Sequence, residues 1–360
     1  MTKERISKLR KRFTNNYEAV VITNLNNVRY LCGYTGSNGV LLVTKKEAFF
    51  FTDFRYQEQS QKEINGCAEI IIVKNGEDKA LFEKINSMGI KALGFEKSIE
   101  VGRFLQFVDS FKTGKLIPTE NLVEELRQYK DKDEVKSLQM AFNIADRALE
   151  ALIGEMHLGM TEIEVAAILE LNMRILGSEK PSFDTIVASG SNASCPHHQP
   201  TNRMIKKGEM LKIDFGATYN GYHSDMTRTF FIGKASAKFK NIYSIVAEAQ
   251  TKDIKAIKVG EDCKNIDAIA RKVITDAGYA KNFGHGLGHS FGLEIHEKPA
   301  FSPLNPSKIE VGHTYTVEPG IYIPEWGGIR IEDSFFIDKK GLLRFTNFPN
   351  NLIELNLKKQ

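Results

Sequence analysis

Between Met210 and Phe230 the chain alternates polar and apolar residues around one turn signal, and few local folds accommodate that pattern. The segment reads Met210-Leu211-Lys212-Ile213-Asp214-Phe215-Gly216, then Asn220-Gly221, then Ser224-Asp225-Met226-Thr227-Arg228-Thr229-Phe230. Asn-Gly is favoured in two-residue hairpin turns, where both positions take positive φ. Centring the turn on that pair puts Asp214 opposite Thr227. Side chains two apart on a strand share a face, so Asp225 falls on the face of Asp214, one step along the diagonal. Leu211, Ile213, Phe215, Met226 and Phe230 then point the other way, into a core. Two adjacent carboxylates repel unless something positive lies between them, and a metal ion meets that need. Two solvated aspartates beside a turn would give the same pattern, so the pair alone does not decide.

The chain has 360 residues, which exceeds the commonest single-domain size and favours two domains. Residues 1–128 read as a small α/β domain. Its strands are Val20-Val21-Ile22-Thr23, Gly39 to Val43, Ala48 to Thr52 and Glu69 to Val73, with helical stretches between them. Lys3 to Arg12 reads as an exposed first helix with a solvated basic face. The polar run from Arg127 to Glu134 is the best boundary, giving a second domain over 129–360. That domain opens with a long helix, where Val135, Leu138, Ala141, Phe142, Ala145, Leu149 and Leu152 recur at helical spacing up to a stop at Gly159. Thr161 and Glu164 form a capping box for the next helix. Strands and turns follow from Phe183, then helix from about Ala235 to Gly278 broken at Gly260, then strands again. The order makes the second half α+β.

Composition removes several function classes. The net charge of +4 accompanies 45 acidic residues, which gives no ground for nucleic-acid binding. No apolar run approaches the ~18 residues of a membrane helix, and the charged N-terminus has no signal-peptide core. Cys32, Cys67, Cys195 and Cys263 form no CxxC pair, which fits reduced thiols and a cytoplasmic enzyme. Cys195 lies near two histidines, but a neighbouring metal set explains those histidines better than a Cys/His nucleophile does.

Seven of the eight histidines lie between His197 and His313. In His285-Gly286-Leu287-Gly288-His289-Ser290-Phe291-Gly292-Leu293-Glu294-Ile295-His296, three histidines alternate with glycines that let backbone approach a site. The spacing is not HExxH, so it does not make all three ligands. Thr314 to Glu318 reads as a strand ended by Pro319-Gly320. In Gly327 to Asp333, Arg330 and Glu332 share one face of a strand and Ile329 and Ile331 the other. Four carboxylates with one histidine suit hard or borderline divalent ions: Mn²⁺, Co²⁺, Zn²⁺ or Fe²⁺. Five ligands exceed what one catalytic ion takes from protein, whereas two bridged ions would use them all.

Together the segments resemble the creatinase/aminopeptidase P/methionine aminopeptidase superfamily. The resemblance rests on IDFGA, SDMTRT, HGLGHSFG, TVEPG and RIED in that order, and on VRYLCGYTGSNGVLLV and FTDFRY in the first half. It implies a C-terminal pita-bread domain behind a smaller N-terminal domain, most like bacterial Xaa-Pro aminopeptidases and Xaa-Pro dipeptidases. It further implies two divalent ions, Mn²⁺ foremost, held by Asp214, Asp225, His289, Glu318 and Glu332, with Asp225 and Glu332 bridging. Glu318 would also accept a proton from water. His296 would stabilise the oxyanion, and His197 would touch substrate and carry a proton. His285, Tyr322 and Arg330 match supporting and substrate-binding positions. His198 has no counterpart role and reads as an exposed loop residue. The implied reaction is cleavage before proline in small peptides, releasing the first residue, with dipeptide cleavage as the alternative. A metal-free creatinase-like hydrolase or a non-catalytic binding module on the same fold would have lost ligands, and all five are present. The expected assembly is a homodimer.

Overall fold

A computed structural model describes residues 2–74, 76–112 and 114–359. The chain divides into two compact units, Met1–Arg127 and Gln128–Gln360. No helix among the described residues is long and apolar enough to cross a membrane.

The first unit is a mixed six-stranded sheet. Its strands are β1 (Ala19–Ile22), β2 (Val40–Thr44), β3 (Ala48–Asp53), β4 (Glu69–Val73), β5 (Ala92–Glu96) and β6 (Lys115–Thr119), in the spatial order β4-β3-β2-β1-β5-β6. Val21, Leu42, Phe51 and Leu93 on the sheet share a core with Leu81, Phe82 and Phe107 from two of the flanking helices. Those helices are α1 (Thr2–Lys11), α2 (Leu25–Cys32), α3 (Gln57–Glu63), α4 (Glu77–Ser87), α5 (Val101–Ser110) and α6 (Glu124–Arg127). α1 differs from its expected solvated state: Ile6 and Leu9 are buried, so the basic residues cover one face only.

The second unit begins with α7 (Lys132–Glu155) and α8 (Glu162–Ile175). α7 stops at Glu155, before Gly159, and a capping box on Asp131 and Glu134 starts it. Thr161 and Glu164 form the box expected for α8. Their apolar faces pack on the sheet β19-β11-β8-β7, made of β7 (Ile186–Ser189), β8 (Met210–Phe215), β11 (Met226–Ile232) and β19 (Glu354–Leu355). The short strands β9 (Thr218–Tyr219) and β10 (Tyr222–His223) flank the turn. Asn220 and Gly221 take φ of 48° and 70°, and the pairing sets Asp214 opposite Thr227. Leu211, Ile213, Phe215, Met226 and Phe230 all enter the core with α7 and α8.

A second helix pair, α9 (Ala237–Ala256) and α10 (Cys263–Asp276), covers the remaining strands. These are β12 (Gly288–Ser290), β13 (Glu297–Phe301), β14 (Thr314–Val317), β15 (Gly320–Ile323), β16 (Gly327–Arg330), β17 (Asp333–Asp338) and β18 (Gly341–Arg344). Val317, Ile321, Ile329, Ile331 and Phe335 pack against Ile242, Val246, Ile266 and Ala270. The unit is thus α+β, with helix pairs outside and strands between them. Two local expectations are corrected. Gly320 opens β15 rather than only ending a strand, and Arg330 is the last residue of β16. Glu332 therefore lies in the break between β16 and β17, which belong to different sheets. The break frees its backbone to reach Thr227, whose carbonyl accepts the Glu332 amide.

Candidate metal centre

The two cores of the second unit leave polar faces turned towards each other. On β8, Lys212 and Asp214 alternate with core residues, and on β16 Arg330 follows the buried Ile329. Asp214, Asp225 and Glu332 each present a carboxylate oxygen within 4.8 Å of the others. All three side chains are buried. Glu318 leaves the end of β14, and His289 sits on β12. His289 Nε2 lies 3.5 Å from Asp225 Oδ2 and 3.6 Å from Glu318 Oε1. Its Nδ1 is 3.1 Å from the Ser290 carbonyl oxygen, which can only accept. The ring proton therefore sits on Nδ1 and the Nε2 lone pair faces the carboxylates.

This cluster is short of positive charge. Arg330 bonds Asp214 through Nη2 and lies 4.0 Å from Glu318 Oε2. Asp214 Oδ1 and Glu332 Oε1 are nonetheless buried with no hydrogen-bond partner. Burial, then the neighbouring carboxylates Glu332, Asp214 and Glu318, pushes the Asp225 carboxyl well up. Burial and the charges of Glu318 and Asp214 do the same to Glu332. Burial raises Glu318 to about 7 although Arg330 pulls the other way. Burial, with His296 beside it, lowers His289 to about 4, so the ring is neutral. Four carboxylates, two orphaned oxygens and a neutral imidazole are the donor chemistry that a hard or borderline divalent cation takes.

Hydrogen bonds around Arg330 fix the surroundings. Nε donates to Thr227 Oγ1 at 2.9 Å, and Nη1 to the Tyr322 hydroxyl at 2.9 Å. The Thr227 hydroxyl in turn donates to Glu332 Oε2 at 2.8 Å. The Tyr322 hydroxyl lies 2.9 Å from His285 Nε2, whose Nδ1 faces the Gly286 carbonyl at 2.8 Å. With Nδ1 donating, Nε2 accepts from Tyr322, and burial keeps His285 neutral by lowering it to about 4. Tyr322 is buried, and its hydroxyl bonds Arg330 and His285. From the far side, Gln250 on α9 donates to the carbonyls of Val317 and Ile331, the residues next to Glu318 and Glu332.

The cluster floors a cleft of about 480 Å³. His197, His198, His285, His289 and His296 line it, with Phe183, Ile186, Ile295 and Phe301 as apolar walls. His197 and His296 are exposed, and the His296 ring centroid is 4.4 Å from that of His289. His198 is not the exposed loop residue expected. Its side chain is only 12% exposed, and its Nε2 lies 2.9 Å from Glu162 Oε2. The carboxylate, buried at the start of α8, draws the ring inward.

Two residues at the site escape a reading of motifs alone. Thr227 bridges Arg330 and Glu332, and Lys212 donates to the carbonyls of Ala193 and Cys195 at 3.2 and 2.8 Å. Both share the Asp214 face of the hairpin, so the strand alternation that found the aspartates also pointed to them.

A buried oxygen-rich cluster with one imidazole, at the floor of a cleft between paired helices and strands, defines a metal-dependent hydrolase. The chain belongs to metallopeptidase family M24, whose model matches residues 136–339. A creatinase/prolidase N-terminal domain matches residues 5–129. It is therefore a peptidase whose chemistry uses divalent metal ions. It is 40% identical to an uncharacterized peptidase of Bacillus subtilis, over 98% of this chain and 100% of that protein. An Xaa-Pro dipeptidase of Pyrococcus horikoshii is 38% identical over 94% of this chain and 95% of its own length. The structure resembles an Xaa-Pro dipeptidase from Bacillus anthracis with a TM-score of 0.95 and 40% identity, covering 99% of this chain and 100% of that one. It resembles an X-Pro aminopeptidase from Thermotoga maritima with a TM-score of 0.88 and 36% identity, covering 94% and 97%.

Proposed function

We propose that the chain is an Xaa-Pro aminopeptidase in which Asp214, Asp225, His289, Glu318 and Glu332 hold two divalent ions, Mn²⁺ foremost. The observation behind the ligand set is the pair of orphaned buried oxygens, Asp214 Oδ1 and Glu332 Oε1, in a group with Asp225 whose carboxylate oxygens lie within 4.8 Å of one another. When bound, the ions polarise the scissile carbonyl and lower the pKa of the attacking water. Glu318 receives the proton that the water gives up. His296, exposed in the cleft, donates to the carbonyl oxygen as negative charge develops there. His197 passes a proton to the leaving nitrogen. Arg330 and Thr227 hold Asp214 and Glu332 in place. Proline's nitrogen carries no N–H, so the site needs no acceptor for one and can spend its contacts on the ring.

Release of one residue from a longer peptide is supported by the lining of the cleft. Among the described residues the lining includes one arginine and no lysine, and that arginine is committed to Asp214, Thr227 and Tyr322. Within this chain, no uncommitted lysine or arginine lines the cleft to meet the carboxylate of an Xaa-Pro dipeptide. The similarity to the Xaa-Pro dipeptidases of Pyrococcus horikoshii and Bacillus anthracis favours the dipeptidase reading instead. Cleavage of Ala-Pro and Ala-Pro-Ala with Mn²⁺ separates them. Faster turnover of the tripeptide supports the aminopeptidase, and turnover of the dipeptide alone refutes it.

A further inference from the structure

His197 stands on the long connection between β7 and β8. How that connection is held therefore decides where the ring points. Glu162, the first residue of α8, is fully buried and gathers the connection around its carboxylate. Oε1 accepts from the Ser189 amide at 2.7 Å, the Ser189 hydroxyl at 2.8 Å and Asn192 Nδ2 at 3.0 Å. Oε2 accepts from the Thr201 amide at 3.1 Å and its hydroxyl at 2.8 Å, and lies 2.9 Å from His198 Nε2. The opening amides of α8 reach the same stretch: Glu162 N–H donates to the Arg203 carbonyl and Ile163 N–H to that of Thr201. A carboxylate in a helix's first turn is also favoured by the helix dipole.

The backbone just before His197 is held separately. Lys212 grips the Cys195 carbonyl at 2.8 Å, and Arg330 Nη1 lies 3.5 Å from the Pro196 carbonyl. The backbone at Cys195 and Pro196 and the ring of His198 are thus fixed on either side of His197. The His197 ring makes no hydrogen bond among the described residues, and lines the cleft. An unbonded ring takes its aim from the backbone beneath it, and small misplacements of a reacting group are costly in rate.

We propose that Glu162 and His198 are positioning residues for His197: their hydrogen bond holds the connection so that the His197 ring faces the reacting centre. This rests on the role given to His197 under the proposed function. His198→Ala removes one bond at the edge of the cluster and leaves the other Glu162 contacts in place. It should lower kcat about tenfold, the cost of a small misplacement of a reacting group, with KM and metal content close to wild type. His198→Gln, which keeps a donor near Glu162, should recover part of that loss. Glu162→Gln turns donors of its own towards the connection's donors and should cost more than His198→Ala. The deciding measurement is a double-mutant cycle with His197→Ala, using Ala-Pro and Ala-Pro-Ala with Mn²⁺. If His198 acts through His197, adding His198→Ala to His197→Ala lowers kcat no further. An additive loss, or an unchanged kcat in His198→Ala alone, overturns the positioning role and leaves the role of His197 standing. An unchanged kcat in His197→Ala alone removes the role of His197 itself and the inference with it.

Discussion

Replacing Asp253 by asparagine should abolish a pH-dependent loss of stability that the wild-type chain carries. Asp253 lies on the buried face of α9. Neither side-chain oxygen has a hydrogen-bond partner of normal geometry. Burial pushes its carboxyl up to about 9, the Asp267 carboxylate adds to this, and only the Ala270 amide pulls the other way. The folded chain therefore binds this proton more tightly than the unfolded chain, where the group titrates at about 4. Its contribution is fully present below about pH 4 and drains away as pH rises towards the folded value near 9. Each pH unit in that window costs about 1.4 kcal/mol. From about pH 5.5 to about pH 8, wild type should lose about 3 kcal/mol that Asp253→Asn does not lose. Asparagine keeps the shape and leaves an equally unpartnered amide, so the slope against pH, and not the stability at one pH, is the quantity to compare. Urea unfolding of both proteins at the two pH values, with equal metal loading, measures it. Other titrating groups cancel in the difference. Parallel curves for the two proteins would show that Asp253 is ionised in the folded chain and would refute the reasoning.

Asp225→Asn and Glu332→Gln should each release metal and lower activity by orders of magnitude while leaving the far-ultraviolet circular dichroism unchanged, because the apolar faces are untouched. Near wild-type turnover at matched metal loading would defeat the ligand set. His289→Ala should lose metal, whereas His296→Ala should keep it and lose kcat; metal analysis beside kinetics reverses the two assignments if the pattern is opposite. Arg228, nearly fully buried, bonds Asp333 Oδ1 at 2.8 Å and the carbonyls of Thr227, Phe348 and Pro349. Arg228→Met should lower stability by about 3 kcal/mol, since it strands a buried charge and several carbonyls; a loss below about 1 kcal/mol in urea unfolding would show that the other donors to Asp333, from Arg344, Thr346 and Asn350, satisfy it without Arg228.

Regular alternation made the centre of the second unit legible. The Asn220-Gly221 turn set the register, and the register set which side chains share the Asp214 face. Helical spacing and capping boxes gave α7 and α8 for the same local reason. Strands without that signal went unseen: β5 carries Ala92 and Gly94, and β6, at the sheet edge, carries Pro118. Both are strands because neighbours pair with them, which no local pattern reports. Ile329 and Ile331 alternate as a strand through Glu332 would, yet the sheet changes beneath it. Nothing near His198 in the chain signals its partner, Glu162, which lies 36 residues earlier, and a buried carboxylate at a helix start looks like any first-turn glutamate. The donor chemistry of the cleft was visible in residue types; the brace of Arg330, Thr227 and Tyr322 required three dimensions.

That brace also bears on how such an enzyme can change over generations. Arg330 touches groups from three different strands and from the connection before β8, and a lysine could not reproduce its planar fork. A mutation at any one partner disturbs the others, so drift at the floor of the cleft must come in concert or not at all. Phe183, Ile295 and Ala300 sit on the walls, where their side chains contribute bulk rather than hydrogen bonds. They can be exchanged singly without disturbing the floor. Divergence in which peptides are accepted should therefore accumulate on the walls, while the chemistry beneath stays fixed.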